Sequence, residues 1–309
     1  MADYLLFIHG VNVRENFTSY ADDLYGKVSA KRPQNALTKI PLSWGNVNIP
    51  AENQLLSEWQ NSLVWPEMWF KDFRQSQILR FVGDAALYIS RAVGADAAIQ
   101  MFNQAKAGLN NFQHTDRLHI VCHSWGTVIL FDILFASRWT DPGVPPNAAA
   151  AVRQIRQFIQ GVPDDAKSPI DPASNLRAGQ SQGLRIASIH TMGSPLAIYQ
   201  LMASSISSHD IAEGLRNTLA YYPKEEPVYW RNYLHPGDPV AYPLETVMPG
   251  VLKNNLSIQI ADLALPITCI KDRLFNMIGN LTPLVLNGGN AHGSYWHSDF
   301  VADQIATKI

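Results

Sequence analysis

Short, nearly unbroken apolar runs recur along the chain, separated by stretches whose apolar residues return every three or four positions. Tyr4–Ile8, Leu118–Val121, Leu184–Thr191, Val228–Leu234 and Thr282–Leu286 are of strand length, and Ala36–Trp44 is a further run interrupted by Pro41. Such runs suit strands buried on both faces of a parallel sheet. Between them the spacing predicts helices. One starts at Ser19, with Tyr20, Leu24 and Val28 on one face; another follows Ser124 and is apolar all round. Others are expected within 51–112 and over Ala148–Gln160, Leu196–Ser207 and Ser298–Ile309. Strands alternating with helices predict an α/β fold with a mostly parallel central sheet flanked by helices. No internal repeat or linker divides the chain, so residues 1–309 are read as one domain.

Two stretches stand apart from this alternation. Residues 51–112 are helical in pattern and rich in large aromatics, among them Trp59, Trp65, Trp69, Phe70 and Phe73. These rings either pack helices onto the sheet or, for Trp65, Trp69 and Phe70, line an apolar substrate channel or flap. Residues 138–183 carry six prolines from Pro142 to Pro172 and an alanine run at 148–151. A long excursion of this kind is either a lid or cap over a site or a plain surface insertion.

Composition narrows the function classes. The chain is 47% hydrophobic and 16% charged, enough apolar material for a large core. A net charge of −2 without a basic block argues against nucleic acid as a partner. No run approaches the roughly 18 apolar residues of a membrane span. The first residues lack the basic start of a signal peptide, so the cytoplasm is the expected location, with export by a signal-less route also open. Two cysteines, Cys122 and Cys269, make no disulfide framework.

The candidate chemistry centres on Cys122-His123-Ser124-Trp125-Gly126, set between an apolar strand and an apolar helix. This is the layout of a nucleophile elbow, with a small residue required two positions after the serine. Cys122 stands where G-x-S-x-G has its first glycine. A serine nucleophile needs a base and an acid to orient that base. Asp238 follows a strand in Pro236-Gly237-Asp238-Pro239, and His292 lies in a glycine-rich loop after the last expected strand. Asp262, Asp272, His235, His297 and His190 are weaker competitors for these roles. Backbone N–H groups of Trp125 and Val11 are placed to hold an oxyanion. Asn12 and Arg14 either brace that loop or face solvent, and His123 is expected to be structural. His292 and His297, with Asp299, only faintly suggest ligand spacing, so neither metal nor cofactor is expected.

Five motifs in this order carry a resemblance: His9-Gly10-Val11, Cys122-His123-Ser124-Trp125-Gly126, Met192-Gly193-Ser194-Pro195, Gly237-Asp238-Pro239-Val240 and Ala291-His292-Gly293-Ser294-Tyr295-Trp296. The chain resembles the α/β-hydrolase superfamily, in particular its lipase-like serine esterases. The resemblance implies the α/β-hydrolase fold, with Ser124 as nucleophile, Asp238 as acid, His292 as base, and Val11 and Trp125 as oxyanion donors. It implies a lipase, phospholipase or carboxylesterase acting on an ester or lipid substrate, with transient contact with lipid surfaces. Acyl transfer by the same triad and a non-catalytic binding module on the same scaffold are the alternatives.

Overall fold

The computed structural model describes residues 1–11, 13, 19–34, 36–80, 83–84, 88, 91–113, 115–160, 184–198, 208–220, 225–252, 255–266 and 291–309. Within these, six strands form one sheet: β1 (Asp3–Ile8), β2 (Leu37–Leu42), β3 (Arg117–His123), β4 (Arg185–Met192), β5 (Val228–Leu234) and β6 (Ile258–Ala264). Their order is β2-β1-β3-β4-β5-β6, and every neighbouring pair is parallel. The helices that matter below are α1 (Asp22–Lys31), α2 (Ile49–Gln60), α3 (Arg91–Gly108), α4 (Trp125–Phe135), α5 (Pro146–Gln160), α6 (Ser208–Leu219) and α7 (Asp299–Ala306). The protein is therefore α/β, with a parallel sheet flanked by helices.

Alternation along the central strands divides the core in two. Leu6, Ile8, Leu118, Ile120, Cys122, Ile189 and Trp230 face one layer, built from α3, α4, α5 and α6. Leu5, Phe7, Val121, Met192 and Tyr233 face the other, which α1 and α7 cover with Leu24, Val28, Val301 and Ile305. Side chains in a strand alternate between faces, so a short apolar run suffices to serve both layers. Residues 126–135 of α4 are all buried, as expected of a helix apolar on every side.

Several expectations change. The helix after Ser19 starts at Asp22, behind a 3₁₀ turn over Ser19–Ala21, and its N-cap is Ala21 rather than serine. The last described strand is β6; the run Thr282–Leu286 lies outside the described residues, as do most of the helix expected over Leu196–Ser207 and Asn12, Arg14, Cys269 and Asp272. In the 138–183 excursion, α5 is bound to the body rather than forming a free lid. Its Ala148, Val152, Ile155 and Ile159 are buried in the main core. They recur at helical spacing, which gives α5 an apolar face to bury. Residues 161–183 lie outside the described residues. No described helix is long and apolar enough to cross a membrane.

Candidate active site

Strand order alone marks one place for a ligand. The chain steps from β1 outward to β2, then returns past β1 to β3, so β1 and β3 flank a switch point at their carboxyl ends. The residues just beyond those ends are His9-Gly10-Val11 and Ser124-Trp125.

Ser124 sits in the turn between β3 and α4 with φ 53° and ψ −133°, a positive-φ conformation unfavourable for a side-chain-bearing residue. Such strain costs on the order of 1–3 kcal/mol and persists only when the surroundings enforce it. They do so from two sides. Ser124 N–H donates to the Met192 carbonyl at 2.9 Å. Opposite, Gly10 is so close that a Cβ there would lie 2.5 Å from Ser124 Cβ and 3.0 Å from its Oγ. Gly126 presses on the same loop: a Cβ at 126 would overlap the His9 carbonyl oxygen and sit 2.9 Å from its carbon. The small residue two positions after the serine is thus a requirement of backbone against backbone.

The loop after β1 is fixed by His9, which is fully buried. Trp44 N–H donates to His9 Nε2 at 3.3 Å, so Nδ1 bears the proton and donates to the Gly10 carbonyl at 2.6 Å. The Trp44 indole stacks on the imidazole and donates to the His9 carbonyl at 3.1 Å. Val11 follows directly, and Trp125 opens α4, where first-turn N–H groups point out along the helix axis.

Asp238 and His292 meet beyond β5. His292 Nδ1 lies 3.0 and 2.9 Å from the two carboxylate oxygens of Asp238. Asp238 also accepts from Val240 N–H at 2.9 Å and from the Tyr295 hydroxyl at 2.7 Å. Burial alone would raise its pKa, but hydrogen bonds and charge from His292, with Val240 and Tyr295, bring it below the usual carboxylate value. An ionised Asp238 holds the proton on Nδ1 and leaves Nε2 as a lone-pair acceptor. His292 Nε2 and Ser124 Oγ are both buried without a hydrogen-bond partner among the described residues. One is an acceptor and the other a donor, so each can supply what the other lacks.

Three further residues knit these pieces together. His123 Nε2–H donates to the His292 carbonyl at 2.6 Å, and the two rings are 4.6 Å apart. Burial, with His292 beside it, pushes the His123 imidazole down to about 3, so it is a neutral donor at ordinary pH. Tyr295 accepts from His235 N–H at 2.8 Å while donating to Asp238, tying the acid's turn to the helical segment that carries the base. Gly193, with φ 56°, leaves room for both groups; a Cβ there would lie 2.6 Å from Asp238 Oδ2 and 3.0 Å from His292 Nδ1. The sequence offered signals for these three: a histidine beside the serine, a tyrosine three residues after His292, and a glycine at a strand end.

The competing residues are occupied elsewhere. His297 pairs with Asp23 on α1 at 2.7 Å. Asp262 accepts from Asn232 and from the N–H groups of Leu244 and Glu245. His235 Nδ1 accepts from Gly237 N–H within its own turn. His190 belongs to a buried chain: Asp3–His119 at 3.2 Å, His119–Ser188 at 2.7 Å, Ser188–His190 at 2.8 Å and His190–Tyr233 at 2.9 Å. That chain contains a second Ser-His-Asp series, but Ser188, His119 and His190 have no exposed surface for a substrate to reach.

Trp65, Trp69 and Phe70 are not brought to Ser124 by any described contact. Trp69 and Phe70 stand in solvent, and half-buried Trp65 stacks on Trp59 with ring centroids 5.7 Å apart. The chain matches no family model, and a search of curated proteins returns no match.

Proposed function

We propose that the protein is a serine ester hydrolase of the α/β-hydrolase type, acting on carboxylic esters through an acyl-enzyme. One observation carries the reading. A strained serine with an unsatisfied buried hydroxyl accompanies an Asp-paired histidine whose outer nitrogen is unsatisfied too.

Ser124 Oγ attacks the ester carbonyl carbon as its proton passes to His292 Nε2. Asp238 stabilises the imidazolium through Nδ1–H. The carbonyl oxygen becomes an oxyanion, held by the N–H groups of Trp125 and Val11; one such donor is typically worth about 100- to 1,000-fold in rate. Collapse expels the alcohol, which takes the proton from Nε2. Water then repeats the sequence on the acyl-serine, restoring the hydroxyl and releasing the acid. Lipid and other acyl esters are the proposed substrate class, as the resemblance to lipase-like esterases implies.

The test is turnover of a short p-nitrophenyl ester by Ser124→Ala. The variant should fold normally and lose activity on the order of a million-fold, as when a triad nucleophile is removed. Turnover at the native rate would end this assignment.

A further inference from the structure

Strand β5 sets a cation on a sheet face that is otherwise apolar or aromatic at that strand. Tyr229, Arg231 and Tyr233 alternate along it, so all three point to the layer that α7 covers. Arg231 stands beside His190 of β4 on one flank and Ala261 of β6 on the other. Its side chain is half-buried, and among the described residues no oxygen accepts from the guanidinium. A charge drawn partly out of water is ordinarily paired, because an unpaired one is costly.

A second cation comes to the same place. Lys308, two residues past the end of α7, sets its Nζ 3.8 Å from the centre of the Tyr229 ring. Tyr229 and Arg231 are separated by about 6–7 Å along one face of the strand, which makes the two cations neighbours. Burial, with the Arg231 charge nearby, holds the Lys308 ammonium below its usual pKa. A lysine at a helix C-terminus is accounted for by the helix dipole, whereas an arginine on a strand is not. The acids of the surrounding elements are engaged elsewhere. Asp299 meets Lys27 at 3.1 Å, Asp303 meets Lys31, Glu226 meets Arg185, and Asp3 holds Arg117 and His119. Two like charges are thus brought together with no counter-charge on them among the described residues, an arrangement that costs energy until an anion arrives.

We propose that Arg231 and Lys308 form a binding site for a phosphate group, with Tyr229 and Gln259 as neutral donors at its rim. Gln259 lies opposite Tyr229 in the β5–β6 register and is exposed. The chemistry of the two cations selects the ligand. A guanidinium matches two phosphate oxygens at once, and an ammonium adds a point charge. A carboxylate would be satisfied by Arg231 alone; a pair of cations calls for a dianion. Ala261, opposite Arg231, ends in a methyl group where a longer side chain would crowd the guanidinium. His190 does not compete for the anion: burial keeps it neutral at ordinary pH, and its Nδ1 is 2.9 Å from the Tyr233 hydroxyl. Tyr229 is near the amino end of β5, while Asp238 follows its carboxyl end, so this site is separate from the candidate active site.

The test is calorimetric titration of the full chain with inorganic phosphate and, separately, with methyl phosphate, at constant ionic strength in chloride and about pH 8, where phosphate is a dianion. The native chain should bind one equivalent saturably, and its unfolding midpoint should rise with phosphate but not with added chloride. Tighter binding of the ester identifies a phosphate carried on a small molecule; tighter binding of the free ion identifies phosphate itself. Arg231→Gln and Lys308→Gln should each bind roughly tenfold or more weakly, and acetate should bind the native chain weakly by a similar factor. Without phosphate, Lys308→Gln should unfold no earlier than the native chain, because it relieves a repulsion. Ser124→Ala should bind phosphate like the native chain, so the site is tested apart from the ester-hydrolase reading. Absence of saturable binding by the native chain, undiminished binding by both variants, or equal affinity for acetate overturns the proposal.

Discussion

Replacing Gly126 by alanine adds one methyl group where two backbones meet. The new Cβ would sit 2.9 Å from the His9 carbonyl carbon and overlap its oxygen. Neither neighbour is a side chain that could rotate away. Carbon contacts settle near 3.5–4.0 Å, so the loop after β1 must retreat from α4 by roughly 1 Å. That loop carries Gly10, packed on Ser124, and Val11, the proposed oxyanion donor. Overpacking of this size costs about 1–3 kcal/mol, or roughly 2–5 °C in the midpoint of a chain this long. A displacement of about 1 Å in a catalytic arrangement can cost about a hundredfold in rate. The assay is kcat/KM on a water-soluble p-nitrophenyl ester together with thermal unfolding. Gly26→Ala is the control: it lies within α1, its added Cβ meets nothing within 4 Å, and it should stabilise by about 0.5–1 kcal/mol. A Gly126→Ala chain with native turnover and midpoint would refute the claim that this contact positions the site.

Other expectations follow from the same contacts. Asp238→Asn should leave the fold intact and reduce kcat about 10⁴-fold by losing the charge that orients His292. His123→Ala should lower kcat about tenfold through loss of one buried hydrogen bond, with His123→Gln recovering part of it by restoring a donor. Stability should fall in acid. Burial holds the pKa values of His119, His190 and His123 below the unfolded value near 6.5. As the pH drops the unfolded chain therefore takes up protons first; the stabilising contribution is whole above about 6.5 and is lost toward the folded values. For Asp3, burial raises the pKa but bonds from His119 and Arg117 bring it to about 2, so its share is whole above about 4 and lost below that. A thermal midpoint constant between pH 7 and pH 4 would contradict this.

Most of the sheet was legible because its strands are buried on both faces and therefore read as apolar runs. β6 was not. Among the described residues it is an edge strand, and of Ile258–Ala264 only Ile258 is buried, so its sequence lacks the apolar signal. In the 138–183 excursion, read as a lid or a plain surface insertion, the helix expected over Ala148–Gln160 is present and packs on the core through Ala148, Val152, Ile155 and Ile159, while residues 161–183 lie outside the described residues. In the site, motif residues could be named from sequence because a tight turn and a close backbone approach demand particular residue types. His123, Tyr295 and Gly193 were harder. Their roles depend on which loops meet in space, which local pattern does not encode. The aromatics of 59–70 misled for the opposite reason: apolar composition suggests burial, yet Trp69 and Phe70 face outward.

The most direct measurement is labelling of the native protein with a fluorophosphonate, followed by peptide mapping. A reactive hydroxyl requires nucleophile, base and acid to work together. A single adduct is predicted, on Ser124, absent from Ser124→Ala and strongly slowed in Asp238→Asn and His292→Ala. No adduct, or one on another serine such as Ser188, would contradict the assignment of the triad.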